Sequence, residues 1–107
     1  MTQEEKEIMT SLLSYYNDVV SMCSRITSGN LSHKLQGLKC YLSSVTHLIN
    51  KYHPDNELAL KHYNMFNGTM TKCDRITTGN VTHEIALIKG WALNYSHLFK
   101  ELLEENK

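Results

Sequence analysis

Residues 23–33 read Cys-Ser-Arg-Ile-Thr-Ser-Gly-Asn-Leu-Ser-His, and residues 73–83 read Cys-Asp-Arg-Ile-Thr-Thr-Gly-Asn-Val-Thr-His. Seven of the eleven pairs are identical, three are conservative, and only Ser24 against Asp74 differs in kind. The correspondence continues outward at the same offset. Tyr16-Asn17 meets Phe66-Asn67, Leu35 meets Ile85, Leu38 meets Ile88, Lys39 meets Lys89, Tyr41 meets Trp91, and Thr46-His47-Leu48 meets Ser96-His97-Leu98. A period of this length is the mark of a repeated supersecondary unit, and duplication explains it most economically.

Each half predicts two helices. Ile8, Leu12, Tyr15, Val19, Met22 and Ile26 recur at steps of three and four, as do Leu31, Leu35, Leu38, Leu42, Val45 and Ile49. Val81, Ile85, Ile88, Ala92, Tyr95, Phe99 and Leu102 repeat the pattern, and Phe66, Met70, Cys73 and Ile76 form a shorter stripe. This is the period of a helix with one apolar face, not the alternation of a strand. Gly29 and Gly79 stand where a helix closes in a left-handed residue, and Asn30 and Asn80 follow as N-caps. Pro54 separates the halves, with Asp55 or Asn56 capping the third helix. The reading is an all-α, antiparallel, up-down-up-down four-helix bundle of two tandem helix–turn–helix repeats. Helices are expected near 3–28, 31–52, 56–78 and 81–105. The chain, 1–107, reads as one domain, with repeat 1 at about 3–53 and repeat 2 at about 56–105.

Composition narrows the function classes. Lys plus Arg equals Asp plus Glu, at 11 each, so no global field draws the chain to duplex nucleic acid or an anionic membrane. No apolar run is long enough for a membrane span, and the acidic start does not read as a signal peptide. Cys23, Cys40 and Cys73 are odd in number and lack Cys-x-x-Cys spacing, so a reducing, cytoplasmic location is expected. The four Asn-x-Ser/Thr sequences, from Asn30, Asn67, Asn80 and Asn94, then read as accidents of composition. No Glu-x-x-His or His-Glu-x-x-His occurs, so no metal site or cofactor is expected. No carboxylate recurs beside the repeated histidines, so no catalytic residues and no enzyme activity are expected.

Up-down topology puts both Gly-Asn turns at one end. That end collects Arg25, Thr27, Asn30, Ser32 and His33 with Arg75, Thr77, Asn80, Thr82 and His83. Two helix N-termini lie there as well, and their free N–H groups and positive dipoles favour anions. These ten residues are the candidate ligand site. The expected function is non-enzymatic binding of an anionic small molecule, foremost a nucleotide or cyclic nucleotide. Such a module acts by sequestration or sensing, for example as a viral or mobile-element inhibitor of host signalling. Structure alone explains part of the motif: Gly and Asn suit a tight turn, and an Arg in the last helical turn complements the dipole. Arg, Thr and His at fixed spacing in both halves are not needed for a cap. The alternative is a protein–protein module, an inhibitor, antitoxin or adaptor, using an outer helical face. His47 and His97 lie opposite the apolar stripe, and Tyr41 and Trp91 at its edge extend that candidate interface to a homo-oligomer.

Overall fold

In the computed structural model, which describes residues 1–106, the chain forms α1 (Gln3–Cys23), α2 (Leu31–Tyr52), α3 (Glu57–Cys73) and α4 (Val81–Glu105). No strand occurs among the described residues. Helix α1 begins with a capping box: the Glu5 N–H donates to Thr2 Oγ1 at 3.1 Å, and Glu5 Oε1 turns back toward Thr2. Helix α3 is capped by Asn56, whose Oδ1 accepts from the Ala59 N–H at 3.0 Å. Asn56 Nδ2 also donates to Glu4 Oε1, 3.3 Å away, which fastens the start of α1 to the turn between the halves.

The closest packing is between the halves rather than within them: α1 lies along α4, and α2 along α3. The result is a four-helix bundle with a Cα envelope of 44 × 26 × 16 Å. Its core takes Ile8, Leu12, Tyr16, Val19 and Cys23 from α1, and Leu38, Leu42, Val45 and Ile49 from α2. Helix α3 adds Ala59, Phe66 and Cys73, and α4 adds Val81, Ile85, Ile88, Ala92 and Phe99. Burying a Leu, Ile or Phe side chain contributes roughly 1.5–3 kcal/mol, so these stripes are the main source of cohesion.

Two expectations about helix ends are corrected. Helices α1 and α3 close at Cys23 and Cys73, well short of residues 28 and 78. The backbone tightens at those points into three-residue bonds, Arg25 N–H to Met22 C=O and Ile26 N–H to Cys23 C=O, with the same pair at Arg75 and Ile76. Ile26 and Ile76 stay buried because the turns drop them into the end of the core as plugs. Their spacing from the last stripe residue mimics one more helical turn. Further, neither Gly29 nor Gly79 takes a left-handed φ. The turns are shaped by asparagine instead.

Candidate functional site

Asn30 occupies the position before α2, but its side chain faces backwards. Its Oδ1 accepts from the Thr27 N–H at 2.8 Å, and its Nδ2 donates to the Arg25 C=O at 2.9 Å. Asn80 does the same with the Thr77 N–H at 2.8 Å and the Arg75 C=O at 3.1 Å. Inside each ring a β-turn closes, from the Asn30 N–H to the Thr27 C=O and from the Asn80 N–H to the Thr77 C=O. The expected asparagine N-caps are therefore absent: no side chain caps α2 or α4. Each amide is already committed to the turn behind it. The first-turn N–H groups of α2 and α4 stay open, while α1 and α3, which start at the other end, are both capped.

The two turns meet over a shallow cleft of about 560 Å³. Asn30, Ser32 and His33 line it from the first turn, and Ile76 and Thr78 from the second. The arginines are not brought together there. Arg25 lines a recess of about 380 Å³ between α1 and α2, with His33, Lys34 and Cys40. Arg75 lines a larger groove between α3 and α4, with Lys72, Asn80 and Glu84. His33 borders both the end cleft and the Arg25 recess. Thr27, Thr77, Thr82 and His83 are exposed. Both arginines are exposed, and among the described residues neither forms an ion pair. The one difference in kind between the motifs has a structural use: Asp74 pairs with Lys39 of α2, whereas Ser24 offers no such partner to Lys89.

Burial pushes the Cys23 thiol up to about 12 and the Cys73 thiol up to about 11, so both are apolar fillers without thiolate reactivity. Among the described residues no three His, Cys, Asp or Glu side chains gather into a metal-binding group. No helix is long and apolar enough to cross a membrane.

The proposed outer-face residues divide. His47 and His97 are exposed. Tyr41 and Trp91 are half-buried and occupied within the chain. The Tyr41 hydroxyl donates to Asp18 Oδ2 at 2.5 Å, bridging α2 to α1. Trp91 meets Tyr16 edge-on at 5.1 Å and Phe66 at 5.5 Å.

Sequence reading missed one polar pair in the core. His62 is 1% exposed, and its Nδ1 lies 2.6 Å from the hydroxyl of fully buried Tyr16. The hydroxyl and Nδ1 satisfy each other: with the hydroxyl as donor, the ring proton sits on Nε2. Burial, helped by the Lys61 charge, lowers the His62 pKa to about 4, and burial pushes the Tyr16 phenol far above its ordinary value. The pair sits among Phe66, Tyr95 and Phe99, with His62 edge-on to Tyr95 at 4.8 Å. The signal was present: His62 lies four residues before Phe66, in step with the stripe. No match was found among protein-family profiles, characterised proteins or solved structures.

Proposed function

We propose that the protein is a non-enzymatic binding module that captures an anionic small molecule, foremost a nucleotide or cyclic nucleotide, at its double-turn end. The observation that carries this reading is the contrast in helix starts. At one end Thr2 and Asn56 cap α1 and α3; at the other, α2 and α4 begin without a side-chain cap. Exposed N–H groups at a helix start favour an anion by dipole and hydrogen bond together. Arg25 and Arg75 stand beside these starts without a carboxylate partner among the described residues. Since the arginines line different recesses, the reading is of two adjacent anion-holding points flanking the end cleft. Two such points suit a ligand with more than one phosphate. Each charge-assisted contact is worth roughly 1.5–3 kcal/mol, so about four to six reach micromolar affinity after ordering costs. Sequestration or sensing is the role that fits.

The test is a thermal-shift titration with phosphate, mononucleotides and cyclic di- and trinucleotides, run beside Arg25→Ala/Arg75→Ala. Ligand at about 100 times its Kd raises stability by about 2.7 kcal/mol, a shift of several degrees. The reading predicts a shift in the wild type that disappears in the double variant. No shift with any of these compounds would overturn it.

A second reading, a protein–protein module or homo-oligomer, draws on α4. There exposed Leu93 lies one helical turn from exposed His97, and Leu98 follows it, 43% exposed. Loss of a partner or of self-association on His47→Ala/His97→Ala, with the arginines dispensable, would favour it.

A further inference from the structure

The groove between α3 and α4, at about 640 Å³, goes beyond the end-cleft reading because its walls are mostly apolar. It exists because these two helices pack on α2 and α1 rather than on each other. Buried Thr69 and Ile88 lie deepest, Met65 and Gly68 line the α3 side, and Leu87 and Trp91 line the α4 side. Leu87 is 57% exposed, a large apolar side chain left mostly uncovered.

The groove has two ends. Past Trp91, Tyr95 and Phe99 of α4 meet His62 of α3 edge-on, at 4.8 and 5.1 Å. Toward the turn it opens on Lys72 and Arg75, with Asn80 and Glu84 opposite. Two cations face one carboxylate, and neither cation is paired among the described residues. The volume lies in the usual small-ligand range of roughly 300–1,000 Å³.

Gly68 holds it open. A Cβ at that position would meet nothing within 4 Å, so packing does not require the glycine. Its counterpart in the first half is Asp18, which accepts the Tyr41 hydroxyl and spans α1 and α2 at the corresponding place. In the second half those positions are Gly68 and Trp91, which cannot make that bridge.

We infer that the α3–α4 groove is a binding site for a planar aromatic ring bearing a phosphate or carboxylate. The ring lies along Trp91 against the bare backbone at Gly68. The anionic group reaches Lys72 and Arg75, and Glu84 accepts from hydroxyl or amino groups between the two. The site stands whether or not the end cleft binds an anion.

Trp91 is the single tryptophan, so its fluorescence reports the groove directly. AMP, GMP and 1-naphthyl phosphate are titrated under selective tryptophan excitation, beside adenosine and inorganic phosphate. The expected result is saturable quenching by at least one aromatic phosphate, with adenosine and phosphate about tenfold weaker or worse. Gly68→Leu, which projects into open space, abolishes the quenching while leaving the thermal midpoint at or above the wild-type value. Lys72→Ala weakens binding about tenfold, and Arg25→Ala leaves it unchanged. No saturable quenching by any of the three, or quenching that survives Gly68→Leu, would overturn the inference. Loss of quenching in Arg25→Ala would also overturn it and move the ligand to the end cleft.

Discussion

The two halves of the chain share a connector and differ in what they do with the space beneath it. In the first half, Tyr41 reaches from α2 to Asp18 on α1 and ties the helices together. In the second, Trp91 turns inward onto Tyr16 and Phe66, Gly68 offers nothing to grasp, and the groove stays open. The core shows the same division. Leu12 and Tyr16 on α1 correspond to His62 and Phe66 on α3, so each half contributes one polar side chain at the position where the other is apolar. Those two side chains bond to each other. Corresponding sequence keeps the connectors alike, while substitution at a few core and groove positions makes the halves complementary instead of equal.

The largest effect is expected from breaking that complementarity. His62→Ala leaves a cavity and strands the buried Tyr16 hydroxyl, at a cost of about 3–5 kcal/mol in denaturant unfolding. Tyr16→Phe with His62→Leu gives both halves the same Leu/Phe pair and is expected to cost less than half as much. The same experiment has a pH arm. His62 is held near 4 in the folded state against an ordinary value near 6.5, so the unfolded chain binds the extra proton first. Stability is full above pH 6.5 and falls as pH drops toward 4, by on the order of 3 kcal/mol, and the double variant should lose most of that slope. A wild-type stability that is flat between pH 7 and 4 would show that the imidazole is not shielded as described.

Asn30→Ala and Asn80→Ala sharpen the comparison from the conserved side. Each removes two hydrogen bonds from a matching ring and should cost about 1–2 kcal/mol, with the two values close to one another. Markedly unequal losses would mean that the connectors, alike in geometry, carry different loads. Gly68→Ala should raise stability by up to about 1 kcal/mol, since it relieves a helix-interior glycine and its methyl enters open space. The smallest effect belongs to Gly29→Ala and Gly79→Ala. Neither glycine is left-handed, and an added Cβ would stand 3.7 Å from the threonine hydroxyl, an ordinary contact. A change within about 0.5 kcal/mol is expected, where a left-handed glycine would lose roughly 1–2.

Much of the architecture was legible because helical periodicity is redundant. Leu38, Leu42, Val45 and Ile49, or Val81, Ile85 and Ile88, mark one face so often that no single residue has to be interpreted. The helix ends were not legible for the opposite reason. Ile26 and Ile76 continue the spacing of the stripe, and only the backward hydrogen bonds of Asn30 and Asn80 show that the helix has already stopped. Gly followed by Asn fits a left-handed stop with a cap, and it fits this ring equally well. The candidate site was legible as a set of residues but not as an arrangement. The spacing of Arg25 and Arg75 from their turns places both at one end, yet which groove each enters depends on α1 lying against α4, a long-range choice that local patterns do not encode. His62 stands in step with the stripe, but a histidine reads as polar until a buried hydroxyl meets it.

The asparagine ring has a further consequence, as a building part. Every hydrogen bond that shapes the first connector joins residues within 20–30, and its counterpart is equally local. Beyond backbone carbonyls in the last turn of the preceding helix, it borrows only a hollow to receive one isoleucine. Such a piece is transplantable: spliced between two other antiparallel helices with an apolar gap at their ends, Arg-Ile-Thr-x-Gly-Asn should bring its own curvature with it. It would also leave the following helix uncapped, ready for whatever negative group the new host wishes to hold there.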